Sequence, residues 1–231
     1  LLPHLEEFVE VVEGDLLELE SLDAVPLDVE AGYYLVHSMG NQAEGFSELE
    51  ERCAQNFCSL AKRSEMKQII YLSGLSDKSP YSEHMESRHR VEQVLKESQI
   101  PLTTLRAGIV IGSGSASFEI IRDLVEKLPV MVAPRWVTSY CQPIAIADVL
   151  FYLSGVLKNE KCLHQTFEIG SSDVLTYKNM LLQLARVRGL RRYILTVPVL
   201  TPRLSSLWLF FITSTNFSIA RALVNSLKVD A

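Results

Sequence analysis

The part of the chain that most limits its possible folds is the stretch of residues 67–117. It holds an apolar run at 68–72 that stops at a serine and a glycine, then a helical pattern, then a second apolar run at 101–111. Two apolar runs separated by one helix predict a βαβ unit with parallel strands at 68–72 and 102–109. Ligands bind beyond the carboxyl ends of such strands. We therefore expect the functional site at Ser73, Gly74 and the Gly/Ser-rich turn of residues 112–117.

Strand and helix patterns alternate on both sides of this unit. This order predicts an α/β fold with a doubly wound parallel sheet. The short elements after residue 112 predict a smaller lobe over the carboxyl edge of the sheet. Further strands are predicted at 8–12, 33–37, 165–169 and 193–197, and further helices at 46–62, 118–128, 147–157 and 177–188.

Composition excludes several classes of protein. A chain of 231 residues with 48% hydrophobic and 22% charged residues can bury a full core and is not disordered. A net charge of −6 without a dense lysine and arginine stripe argues against a nucleic-acid surface. The longest apolar run near the C-terminus, residues 207–212, is too short to span a membrane. The four cysteines lack metal or redox spacing, so we expect free thiols, no metal site and a cytoplasmic location.

Five segments of the chain, taken in order, carry a resemblance to a known family. They are Val12-Glu13-Gly14-Asp15-Leu16, Tyr34-Leu35-Val36-His37-Ser38-Met39, Gln68-Ile69-Ile70-Tyr71-Leu72-Ser73-Gly74, Leu105-Arg106-Ala107-Gly108-Ile109-Val110-Ile111-Gly112 and Gln142-Pro143-Ile144-Ala145-Ile146-Ala147-Asp148-Val149. Together they resemble an atypical, NAD(P)H-binding short-chain dehydrogenase/reductase close to the nucleoside-diphosphate-sugar epimerases. The resemblance covers nearly the whole chain. It implies a Rossmann-like sheet, NAD or NADP as cofactor, and a small carbonyl or sugar-nucleotide substrate.

One family motif does not occur in the sequence. The Gly-rich turn after the first strand, G-x-x-G-x-x-G, cradles the pyrophosphate, and nothing before Phe8 matches it. We expect the first two strands to lie outside this chain, and residues 8–12 to pair directly with residues 33–37. Residues 1–112 are then a partial NAD(P)-binding domain, and residues 113–231 hold the remaining sheet strand and the substrate-side lobe. The alternative is that the turn at 112–117 replaces the missing motif.

The catalytic pair of the family is also altered. Typical members have Tyr-x-x-x-Lys at the start of the helix after the fifth strand, and here His84 and Arg88 stand at those positions. The resemblance implies that His84 is an acid or base, that Arg88 is a fixed cation, and that Ser73 takes the place of the catalytic serine or threonine. Tyr81 is a rival proton donor. A solvated helix-start histidine is the alternative interpretation of His84.

The resemblance implies cofactor contacts at the ends of three predicted strands and in the Gly-Asp turn. An ordinary capping turn is the alternative for Asp15. Arg106 and Arg135 are candidates to bind a substrate carboxylate or phosphate. The implied cofactor-binding residues are Asp15, Leu16, His37, Ser38, Met39, Gly74 and Gly108.

Three functions remain open from the sequence. The first is an NAD(P)-dependent oxidoreductase or epimerase-like enzyme. The second is a non-catalytic protein that senses or binds the dinucleotide, which the altered Tyr-Lys pair favours. The third is an interaction module that carries a further domain after Ala231. The sequence does not favour a Ser-His-Asp hydrolase, because it has no G-x-S-x-G motif.

Overall fold

The computed structural model describes residues 8–37, 46–75 and 83–197. None of the helices in these ranges is long and apolar enough to cross a membrane, and all four cysteines are free thiols. The strands are β1 (Ala31–Tyr34), β2 (Gln68–Gly74), β3 (Leu102–Ala107), β4 (Val110–Ile111), β5 (Val130–Pro134), β6 (Tyr140–Cys141), β7 (Ile144–Ala145), β8 (Thr166–Ile169), β9 (Leu175–Thr176) and β10 (Tyr193–Val197). The helices are α1 (Phe46–Arg63), α2 (Glu83–Glu97), α3 (Ala116–Lys127), α4 (Ile146–Val156) and α5 (Tyr177–Val187).

The main sheet has four strands in the order β1-β2-β3-β8, and every neighbouring pair is parallel. This confirms the parallel strands predicted around residues 33–37, 68–72 and 102–109, with β8 as the strand that returns from the second half of the chain. The third strand ends at Ala107, earlier than predicted. Residues 110–111 form β4, which pairs with β7 instead.

Helices cover both faces of this sheet. Because successive side chains of a strand alternate between faces, β2 contributes to two separate cores. Ile69 and Tyr71 pack with α1 and α2 on one face, while Ile70 packs with Val149 and Leu153 of α4 on the other. Burying a side chain of this size stabilises the fold by about 1.5–3 kcal/mol. The doubly wound α/β arrangement predicted from the sequence is confirmed.

A third hydrophobic core lies after residue 112. It joins α3 and α5 to β5 and β10, and includes Val125, Met131, Val137 and Leu181. Strands β5 and β10 pair in parallel, and β6 and β9 pair antiparallel. This is the smaller C-terminal lobe that the sequence predicts.

The first predicted strand is wrong. Residues 8–12 form no strand, and Phe8 and Val11 are 81% and 63% exposed. A run of β-branched residues does not by itself form a strand, because strand formation also depends on a partner strand and on burial. The next turn instead packs on α1, where Asn56 Nδ2 donates to the Leu16 carbonyl oxygen at 2.7 Å. The predicted pairing of 8–12 with the strand at 33–37 is therefore also wrong, and within the described residues β1 pairs only with β2.

Candidate functional site

The carboxyl end of β2 buries the Ser73 hydroxyl. Ser73 is 3% exposed, and within the described residues no group meets the geometry of a hydrogen bond with its Oγ. Its polar neighbour is the Tyr71 phenol, whose pKa is raised by burial and partly lowered again by Arg88 and by the nearby Ser73 hydroxyl. A buried polar group without a partner costs about 1–3 kcal/mol. Such groups are uncommon in native proteins, and this one makes Ser73 a candidate for contact with a ligand.

Gly74 brings α2 close to this end of the strand. A Cβ atom on Gly74 would lie 3.1 Å from the Met85 side chain and 3.5 Å from Arg88 Cδ. The Tyr71 hydroxyl donates to the Arg88 carbonyl oxygen at 3.4 Å. The structure thus brings together three of the predicted site residues, Ser73, Gly74 and Arg88.

Four predicted site residues cannot be located at the level of their side chains. The backbone of His84 lies in the first turn of α2, one turn before Arg88. The side chain of His84 lies outside the described part of the structure, as do all of Tyr81, Ser38 and Met39.

A buried carboxylate, Glu50, joins three elements beside this site. His37 Nδ1 lies 2.9 Å from Glu50 Oε1, and the Ser87 hydroxyl donates to the other carboxylate oxygen. His37 follows β1, Glu50 belongs to α1 and Ser87 to α2. A carboxylate that is 5% exposed needs such partners, because desolvation disfavours its charge.

His37 and Gly74 leave the main sheet at the same level. Tyr34 is paired with Tyr71 in the parallel register of β1 and β2, and His37 and Gly74 each follow three residues later. The Glu50 cluster and the Ser73 hydroxyl therefore lie along one carboxyl edge, where parallel sheets bind ligands.

Sequence reasoning missed Glu50. Two adjacent glutamates in an amphipathic helix, Glu50 and Glu51, are most simply interpreted as part of a solvated face, and for the buried Glu50 this interpretation is wrong. The signal was the helical spacing, because Glu50 lies on the same side of α1 as Cys53, Ala54 and Phe57, which pack inward.

Asp15 and Leu16 form a local turn. The Asp15 carboxylate accepts from the Leu17 amide at 2.8 Å, and the Asp15 amide donates to the Ser21 hydroxyl at 2.8 Å. Leu16 is partly buried against the core beneath α1. These contacts are those of the capping turn that was the alternative interpretation of Asp15.

Glycine is required at position 108 because the backbone of Gln142 lies very close to it. A Cβ atom at this position would lie 2.2 Å from the Gln142 carbonyl oxygen. The backbone that follows β3 therefore passes directly beneath the segment before β7. This packing alone requires glycine, without any contact to a cofactor.

Arg106 is engaged within the protein. Its Nη2 lies 3.0 Å from Glu92 Oε2, and Lys96 Nζ lies 2.7 Å from Glu92 Oε1. Burial opposes the charge on Glu92, but the hydrogen bonds and charges of Lys96 and Arg106 outweigh it and hold the Glu92 pKa below its usual value. Arg106, one of the two candidates for substrate binding, therefore forms an ion pair within the protein, whereas Arg135 is exposed.

Solved structures share this fold. They include a nucleoside-diphosphate-sugar epimerase from Staphylococcus aureus, with a TM-score of 0.73 and 14% identity over 99% of this chain and 77% of that chain. A UDP-N-acetylglucosamine 4-epimerase from Bacillus cereus has a TM-score of 0.62 and 19% identity over 92% and 83% of the two chains. An NADPH-dependent quinone oxidoreductase from Escherichia coli, complexed with NADPH, has a TM-score of 0.72 and 18% identity over 95% and 72%.

No family model and no curated protein matches this sequence. At the identities just given, the similarity establishes the fold and not the activity. The Rossmann-like fold that the five sequence segments predict is confirmed.

Proposed function

We propose that this chain forms part of a site for NAD(P)-dependent reduction or epimerisation of a small carbonyl or sugar-nucleotide substrate. The observation that carries the proposal is the buried Ser73 hydroxyl at the carboxyl end of β2. Within the described residues it makes no hydrogen bond of ordinary geometry, and the Tyr71 phenol is its polar neighbour. Ligands of open parallel sheets bind at this edge. Structures with the same fold were solved in complex with NADPH or NAD, which supports the choice of cofactor.

The residues at this edge fit the nicotinamide end of a dinucleotide. Ser73 provides a hydroxyl, Gly74 allows close approach of the backbone, and Arg88 provides a permanent positive charge beside them. When bound, the nicotinamide supplies or accepts a hydride. Residues 1–231 contain no G-x-x-G-x-x-G turn, so the proposal assigns no pyrophosphate contact to them.

In this proposal each side chain has a distinct role. Ser73 donates its hydrogen bond to the carbonyl oxygen of the substrate and stabilises the charge that develops there. Arg88 holds the local potential positive but does not exchange its own proton. His84 or Tyr81 transfers the proton. His84 is in the first turn of α2, four residues before Arg88, and Tyr81 precedes Arg88 by seven residues in the sequence.

A second candidate is dinucleotide sensing without turnover. The phenol that the structure places near Arg88 is Tyr71, which is 3% exposed and donates to a backbone carbonyl. It is therefore engaged in the fold and not offered to a substrate. Among the described residues the site therefore has a cation but no phenol available to a substrate, which favours binding over proton transfer. Measured turnover separates the two candidates.

The test compares Ser73→Ala with Ser64→Ala. Both hydroxyls are buried without a hydrogen-bond partner in the described residues, but Ser64 lies in the turn after α1, away from the carboxyl edge. For the enzyme, we expect Ser73→Ala to lower kcat about 100-fold and Ser64→Ala to leave kcat unchanged. If the protein is a sensor, neither variant turns over a substrate. In that case only Ser73→Ala weakens NADPH binding, which is measured by fluorescence titration.

Two further variants assign the proton donor. We expect either His84→Phe or Tyr81→Phe to lower kcat by about 100-fold or more. Full activity in both variants would reject these residues as donors. Identical turnover and NADPH binding in Ser73→Ala, Ser64→Ala and the parent would reject the proposed site itself.

A further inference from the structure

The two-stranded sheet of the C-terminal lobe has one buried and one exposed face. Met131, Ala133 and Ile194 point into the core between α3 and α5. The opposite face, here called the outer face, consists of Val130, Val132, Tyr193 and Leu195, which are 51%, 44%, 65% and 58% exposed.

These four side chains form a continuous apolar patch. In the parallel register Tyr193 is paired with Val130, and Leu195 with Val132, so the four side chains lie side by side on one face. Parallel strands are normally covered on both faces, and two strands alone are marginally stable in water. An exposed patch of this kind marks an interaction surface.

The chain itself contains a segment suited to cover this patch. Residues 204–212, Leu-Ser-Ser-Leu-Trp-Leu-Phe-Phe-Ile, carry no charge, and seven of the nine are apolar. They begin seven residues after Val197, the last residue of β10. The intervening six residues reach about 20 Å when extended, whereas adjacent strands are only about 5 Å apart.

We propose that residues 204–212 dock on the outer face of the same molecule. The short tether favours this occupant over a second copy, because it holds the segment at an effective concentration of about millimolar or above. Docking removes apolar surface of the segment and of the sheet from water together. Neither surface carries a charge that would be left unpaired.

Trp208 lies within the docking segment and reports on the contact. In a Trp136→Phe background Trp208 is the single tryptophan of the chain. We expect its emission to be blue-shifted and its quenching by acrylamide to be weak. Val132→Asp places a charge on the outer face, and we expect it to shift the emission to the red and to raise the quenching constant several-fold.

The matched control is Val187→Asp. Val187 is 83% exposed and ends α5, which packs on the opposite side of the same two strands. We expect this variant to leave Trp208 unchanged. Circular dichroism verifies that each variant is folded, and Leu195→Ser replaces Val132→Asp if that variant unfolds.

Two results would overturn the proposal. The first is strong quenching of Trp208 in the parent, or quenching that neither outer-face variant alters. The second is protection of Trp208 that appears only at high protein concentration and coincides with dimer formation in light scattering, which would make a second copy the occupant.

Discussion

Gly108 lies where the chain leaves β3 and passes beneath the Gln142 backbone. Since an added Cβ would stand 2.2 Å from a carbonyl oxygen, one of the two backbone segments has to move. We expect Gly108→Ala to lower the free energy of unfolding by about 1–3 kcal/mol, the usual effect of overpacking. Urea unfolding followed by circular dichroism measures the change.

Gly155→Ala is the control for this prediction. Gly155 lies in the last turn of α4, where an added Cβ meets nothing within 4 Å. We expect this change to raise the free energy of unfolding by up to about 1 kcal/mol, because alanine favours the helix. An equal effect of both substitutions would show that the approach of Gln142 does not restrict Gly108.

Glu92 makes the stability of the protein depend on pH. Burial opposes its ionisation, but Lys96 and Arg106 outweigh burial and hold its pKa in the folded state below the usual value of 4.5. The group therefore stabilises the fold fully above the unfolded-state pKa, and this contribution is lost as the pH falls through the lower folded-state pKa.

At pH 7 we expect Glu92→Gln to lower the free energy of unfolding by about 3 kcal/mol, since it leaves Arg106 without its carboxylate. The difference from the parent should shrink as the pH falls below about 4.5. Glu86→Gln removes an exposed ion pair with Arg90 on the same helix and should change stability by no more than about 0.5 kcal/mol. A difference between Glu92→Gln and the parent that is independent of pH would contradict this account.

The strands and helices that could be predicted are those whose sequence signals lie within one short segment. The apolar runs of β2 and β3 and the helix between them each carry their own signals. In the structure β2 ends two residues later than predicted and β3 ends two residues earlier. Residues 8–12 show the limit. Their β-branched composition is real, but they pair with no strand of the described chain, and strand formation depends on such a partner.

The candidate site was predictable to the same degree. Ser73 and Gly74 follow directly from the place where β2 ends, and Arg88 follows from its position on α2. The interactions of Glu50 with His37 and Ser87, and of Glu92 with Arg106, join elements that are distant in sequence. Which side chains meet in this way depends on how α1 and α2 pack on the sheet, and strand and helix patterns do not contain that information.

For the whole molecule, the position of β1 has the largest consequence. It forms an edge of the main sheet, yet its sequence is apolar, as in strands that are buried on both sides. Tyr33 donates its hydroxyl to the Leu153 carbonyl oxygen at 2.9 Å, which fixes α4 over one face of the strand. Leu35 and Val36, which continue from it, are 55% and 48% exposed. An apolar edge of this kind readily accepts another strand.

Amide hydrogen exchange tests whether this edge is free. In a strand with a single neighbour, every second amide points away from the neighbouring strand. These amides exchange with solvent unless another group accepts their hydrogen bonds. We expect about half of the amides of residues 31–36 to exchange much faster than those of residues 69–72, which lie in β2 between two paired strands. Equal protection of both stretches would contradict a free edge and would mean that another segment pairs along β1. A comparison at low and at high protein concentration then shows whether that segment belongs to the same molecule or to a second copy.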